Sequence, residues 1–90
     1  MPILRRPSPL HSDAYQALCA VVSQARRDAG VTQRTLAARI GKSASHVCMI
    51  EAGQRRVDAF EFYLIAKALD LPPAALFATV VERLEAPQGA

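Results

Sequence analysis

Ninety residues are enough for one small domain with a modest core, and an apolar share of 51% with only 6% aromatic residues suits a helical bundle better than a β-sandwich. No apolar run reaches the roughly 18 residues of a bilayer-crossing helix, and the N-terminus lacks a signal-peptide core, so a cytoplasmic chain is expected. The net charge of +3 is unevenly spread: between Arg26 and Arg56 seven basic residues face only Asp28 and Glu51, which puts that stretch at +5 and the remainder at −2; on charge alone this reads as a solvated helical surface, and it becomes a nucleic-acid footprint only with a binding motif at its centre.

Residues 1–12 read as an extended arm, with Pro2, Pro7 and Pro9 and the pair Arg5 and Arg6. The arginines are placed to reach DNA phosphates or a minor groove; a disordered or crystal-ordered tail is the simpler reading. Ser12 then caps a first helix that ends at Gly30. On one face it carries Tyr15, Leu18, Cys19, Val22, Ala25, Arg26 and Ala29, of which Arg26 is the odd member.

Thr32 is an N-cap for a second helix, because its hydroxyl can accept from an otherwise unpaired amide of the first turn. Leu36 and Ile40 point inward at i,i+4, and Gly41 can take the left-handed conformation that ends a helix. Ser43 caps a third helix with Val47 and Ile50 inward, and Ala37 is small where two steeply crossed helices come closest. Two short helices joined by a glycine-containing turn make a helix-turn-helix. The run T-Q-x-x-L-A-x-R-I-G-x-S-x-S-x-V-x-x-I-E-x-G, over about residues 32–52, resembles the corresponding domain of the Cro/C1 (Xre-type) regulators, which include lambdoid phage repressors. The resemblance runs more loosely from Tyr15 to Phe77. It implies an all-α, five-helix lambda-repressor-like DNA-binding domain over residues 13–85, followed by a tail at 86–90.

Beyond the basic loop Gly53–Val57, Asp58 and Glu61 have capping-box spacing at the start of a fourth helix. Phe62, Ile65, Ala66 and Leu69 form its core stripe, and Phe60 and Leu64 make a second apolar pair rotated off that stripe. Pro72 and Pro73 permit a new start, and Leu76, Phe77, Val80, Val81 and Leu84 give a fifth helix a broad apolar face. Either helices four and five and the arm cover one another, or a homodimer forms through Phe77, Val80, Val81 and Leu84; small helix-turn-helix domains commonly bind as two-fold dimers.

By resemblance, the third helix enters the major groove of double-stranded DNA with Ala44, Ser45, Cys48 and Met49 at base edges. Gln33, His46, Gly53, Arg55 and Arg56 fall at phosphate-contact positions, Gln33 also bracing the first recognition residue. Arg26 and Glu51 fall where phage repressors hold a structural ion pair. The base-reading set departs from the family, which usually carries Arg, Gln or Asn there. Ala44 and Met49 suit thymine methyls and Ser45 several bases, so readout favouring thymine is expected, supported by phosphate contacts and DNA shape.

Cys19 and Cys48 lack C-x-x-C spacing and read as a small core residue and a small residue beside the recognition surface; a redox switch at Cys48 is the alternative. His11 and His46 have no nearby nucleophile or second metal ligand, the carboxylates are scattered and no glycine-rich phosphate loop occurs, so no enzyme, cofactor or metal is expected. The leading function is a dimeric transcriptional repressor. The alternative is a DNA-binding antitoxin whose arm, or the Phe60 and Leu64 strip, holds a partner toxin.

Overall fold

Five helices account for the described residues, 12–86, of the computed structural model: α1 (Asp13–Asp28), α2 (Gln33–Arg39), α3 (Ala44–Glu51), α4 (Ala59–Ala68) and α5 (Pro73–Glu85). The arm before Ser12 and the tail after Ala86 lie outside these residues. The first four helices begin alike, with a side-chain oxygen of Ser12, Thr32, Ser43 or Asp58 accepting from the amide three residues on. Only α5 has no side-chain cap; Pro73, which has no N–H to satisfy, stands at its start.

The same four helices also end alike. After each stands a residue with positive φ: Gly30, Gly41, Gly53 and Asp70. Its amide and the next one turn back to the last carbonyls, as Gly41 N–H does to Ala38 O and Lys42 N–H to Ala37 O. These bonds satisfy carbonyls that the helix cannot. Asp70 (φ 63°) does this with a side chain in place, in a region that disfavours one.

The core is built where α2 and α3 pack on each other and α1 lies against both α3 and α5. Val22, Leu36, Val47, Ile50, Ile65 and Val80 are its largest aliphatic members that are essentially without exposure. The α4 stripe is buried as patterned, at Phe62, Ile65, Ala66 and Leu69. On α1 the buried face is wider than expected: Val21 and Ser23 join Cys19 and Val22, while Ala29 is exposed. The helix is covered from two sides, and one 3.6-residue stripe cannot serve both. A second correction falls on α5. Val80, expected at a dimer contact, is 0% exposed, because α5 lays Leu76 and Val80 into the core against α1 and α4. Phe77 and Leu84 remain exposed, and Val81 is half-buried.

The helix ends yield opposite predictions at equivalent positions. Gly41→Ala should destabilise by about 1 kcal/mol through backbone strain, since a Cβ there would meet nothing within 4 Å. Asp70→Gly should stabilise by up to about 1 kcal/mol. Urea unfolding of both variants checks this, and a shift of the same sign in the two would contradict the shared geometry.

Candidate nucleic-acid interface

The face around α3 is set from behind by one carboxylate. Glu51, the last residue of α3, accepts from Arg26 Nε at 2.6 Å on one oxygen and from Arg26 Nη2 at 3.0 Å on the other. Ser23 Oγ at 3.1 Å and Gln33 Nε2 at 2.9 Å donate to that second oxygen. Arg26 Nη1 also donates to Val31 O at 2.8 Å, between α1 and α2. The ion pair expected between Arg26 and Glu51 is therefore in place, bidentate and nearly buried, with side-chain exposures of 13% and 6%. Burial pushes the Glu51 carboxyl up, but the hydrogen bonds from Arg26, Gln33 and Ser23 and the Arg26 charge outweigh it and hold it below the ordinary range. The Glu51 hydrogen bonds raise Arg26 in turn, against desolvation.

With its rear face fixed, α3 buries Val47 and Ile50 and turns Ala44, Ser45, Cys48 and Met49 outward. The structure thus gathers all four expected base readers on one exposed strip. Lys42 in the preceding turn and Arg55 and Arg56 in the loop beyond are exposed and border one cleft of about 330 Å³, together with His46 and the carboxylates of Asp58 and Glu61. Tyr15 holds that loop from α1: its hydroxyl donates to Arg55 O at 3.0 Å and accepts from Val57 N–H at 2.8 Å.

Three expected phosphate ligands are placed otherwise. Gln33 is half-buried and braces Glu51 rather than the first residue of α3. Gly53 is buried, its amide donates to Ile50 O at 3.0 Å, and the Gln16 amide lies where a Cβ would stand. Its amide closes the helix and is not offered outward; glycine is needed for the left-handed turn under Gln16. His46 points to α4, with Nε2 2.6 Å from Glu61 Oε2 and 11% of its side chain exposed, so an imidazole–phosphate contact is not presented. Three of the basic residues also make hydrogen bonds within the protein, although Arg27 and Arg39 stay exposed. Arg26 is consumed by Glu51, Arg39 donates to Ala68 O at the end of α4 (2.8 Å), and Arg27 donates to Ser23 Oγ (2.7 Å). Sequence reasoning missed Ser23 and the Tyr15 clamp, because neither carries a spacing signal.

Cys48 is exposed and Cys19 buried; burial pushes the Cys19 thiol up. Among the described residues no cluster of three or more potential metal ligands occurs, and no single helix is long and apolar enough to cross a membrane.

Comparison with known proteins agrees with this geometry. The sequence profile of the Helix-turn-helix family matches residues 22–76. An XRE-family like protein from Pseudomonas syringae pv. tomato str. DC3000 superposes with a TM-score of 0.74 at 33% identity, over 90% of this chain and 95% of that one. The restriction–modification controller protein C.AhdI from Aeromonas hydrophila gives 0.64 at 35% identity, over 73% of this chain and 100% of that one. A further controller protein, crystallised as a tetramer with its natural 35 base-pair operator, gives 0.75 at 22% identity, over 82% and 97% of the two chains, a likeness of fold alone. Comparison with curated protein sequences gives no match.

Removing the Glu51 charge should be costly at neutral pH and nearly harmless in acid. Glu51→Gln strands the Arg26 charge and should destabilise by about 3 kcal/mol. Because folding lowers the Glu51 pKa, its contribution is complete above the ordinary glutamate value of 4.5 and is lost as pH falls through the lower folded value. The stability gap between native protein and Glu51→Gln, from urea unfolding between pH 7 and pH 3, should hold to about 4.5 and then close; a constant gap would remove Glu51 from the acid response.

Proposed function

The chain belongs to the helix-turn-helix family, of the Cro/C1 (Xre) type, a family of DNA-binding regulators, and on that premise we propose a sequence-specific repressor that binds duplex DNA as a two-fold dimer. The observation that carries this reading is the outward strip Ala44, Ser45, Cys48 and Met49, held in register by the buried Glu51 cluster and flanked by Lys42, Arg55 and Arg56. In the major groove the strip meets base edges while the three cations meet flanking phosphates. Lys42 replaces Gln33, His46 and Gly53 in the phosphate set.

Three of the readers are short, and Met49 is long but has no hydrogen-bond donor. Ala44 and Met49 offer methyl groups to thymine, Ser45 a hydroxyl to several bases, and none makes the forked contact that identifies guanine. The operator is therefore richer in thymine contacts than in guanine contacts, and phosphate charge supplies much of the affinity.

The second copy meets the apolar surface of α4 and α5. Phe77 and Leu84 are 49% and 42% exposed, Tyr63 is 46% exposed, and Val81 is half-buried beside them. A dimer through Phe77, Val81 and Leu84, without Val80, removes part of this surface from water and sets two recognition helices about one DNA turn apart. The operator-bound tetramer of a controller protein with the same fold supports assembly on DNA. The antitoxin alternative would use Phe60, which is 67% exposed, and Leu64 as its toxin surface, but the relatives' descriptions, of an XRE-family like protein and of controller proteins, give it no support.

Selection of bound duplexes from a randomised pool should enrich an inverted repeat with half-sites about one turn (34 Å) apart and thymines under α3. Salt-sensitive binding with no enriched sequence would overturn the sequence-specific reading. On the selected duplex, Arg55→Ala should weaken binding to all sequences and reduce the salt slope by about one unit. Met49→Ala should alter sequence preference and leave non-specific affinity nearly unchanged.

A further inference from the structure

Glu61 breaks the local rule that its sequence position announces. It stands three residues after the cap Asp58, and its amide donates to Asp58 Oδ1 at 2.7 Å, which is half of a capping box. In the other half the glutamate side chain would fold back to the cap residue. Here it leaves its own helix and meets His46 Nε2 at 2.6 Å, with only 15% of the Glu61 side chain and 11% of the His46 side chain exposed.

The contact ties α3 to a helix that otherwise packs little against it. α3 packs on α2 and α1, and α4 is not among the helices packed broadly against it. Its C-terminal end is tied to α1 and α2 through Glu51. At its N-terminal turn Ala44 and Ser45 are exposed, Val47 is buried in the core, and His46 makes the polar side-chain contact of that turn to another helix. A helix of eight residues has no stability of its own, so its orientation is whatever its anchors impose. The readers at that end are Ala and Ser, which have no long side chain to absorb a shift of the backbone. A site of this kind has to be held to within about half an ångström.

We propose that His46 and Glu61 form a positioning pair that fixes the N-terminal end of the recognition helix and so sets sequence discrimination, without either residue touching DNA. This rests on the DNA-binding reading above. Simple electrostatics and positioning then predict opposite signs. Glu61 is a negative charge bordering the same cleft as Lys42, Arg55 and Arg56, so its removal should favour phosphates indiscriminately. Loss of positioning should weaken the specific complex.

The test measures the affinity of the full chain, at fixed salt, for the selected operator and for a random duplex. Glu61→Ala should lose about tenfold in operator affinity, the value of one base contact, while random-duplex affinity holds or rises. Glu61→Gln keeps an acceptor for the His46 N–H and should restore most of the loss. Circular dichroism checks folding, and if Glu61→Ala does not fold, His46→Ala provides the same reading from the other partner. An unchanged ratio of operator to random affinity would overturn the positioning role alone. Failure of the native chain to bind either duplex would overturn the DNA-binding reading, and this one with it.

Discussion

The carboxylate of Glu51 is the point on which the arrangement of this molecule depends. It accepts from side chains of α1 and α2 while belonging to α3, so all three helices are referred to one pair of oxygens. Arg26 extends the same cluster to the backbone at Val31, where α1 hands over to α2. Burying two charges is not in itself a strong source of stability. What the cluster supplies is a single orientation. α2 and α3 have seven and eight residues, too short to persist alone, and Val47 and Ile50 would tolerate some rotation of α3 that a bidentate contact does not.

Much of this fold was legible in the sequence because its punctuation is local. Ser12, Thr32, Ser43 and Asp58 act as caps through bonds that span three residues, and Gly30, Gly41 and Gly53 close helices through bonds of similar reach. The end at Asp70 uses the same geometry without the glycine that would announce it. Helical period also identified the inward residues of α2, α3 and α4. It could not say which side of α5 a neighbour would take. Val80 and Phe77 both belong to a broad apolar face, and only the packing of α1 and α4 puts the first in the core and leaves the second exposed.

Positions at the site were less legible than the fold for a related reason. Gln33 and His46 stand where the resemblance puts phosphate ligands, but side-chain destination depends on residues far along the chain, Glu51 for one and Glu61 for the other. Gly53 shows the converse, a residue whose local duty in closing α3 uses the amide that a phosphate would need. Charge counting misleads in the same way. Of the seven basic residues between Arg26 and Arg56, Arg26, Arg27 and Arg39 are engaged by the protein itself. A count of sequence charge therefore overstates the number of side chains left uncommitted for a polyanion, although Arg27, Arg34 and Arg39 keep exposed charge outside the α3 strip.

These features together describe a division of labour suited to a reader with short side chains. A recognition helix rich in Arg or Gln can correct small errors of placement by rotamer choice, because each such side chain has several torsions and a long reach. Ala44, Ser45 and Cys48 have one torsion or none, so the geometry of contact is passed back to the backbone of α3. That backbone is fastened at its C-terminal end by the Glu51 cluster, capped at its N-terminal end by Ser43, and followed by a basic loop that Tyr15 pins to α1. Rigidity in the support takes the place of versatility in the reader. On the proposed reading, the polar groups buried behind α3 serve recognition by holding the helix that would read the DNA, although they face away from it.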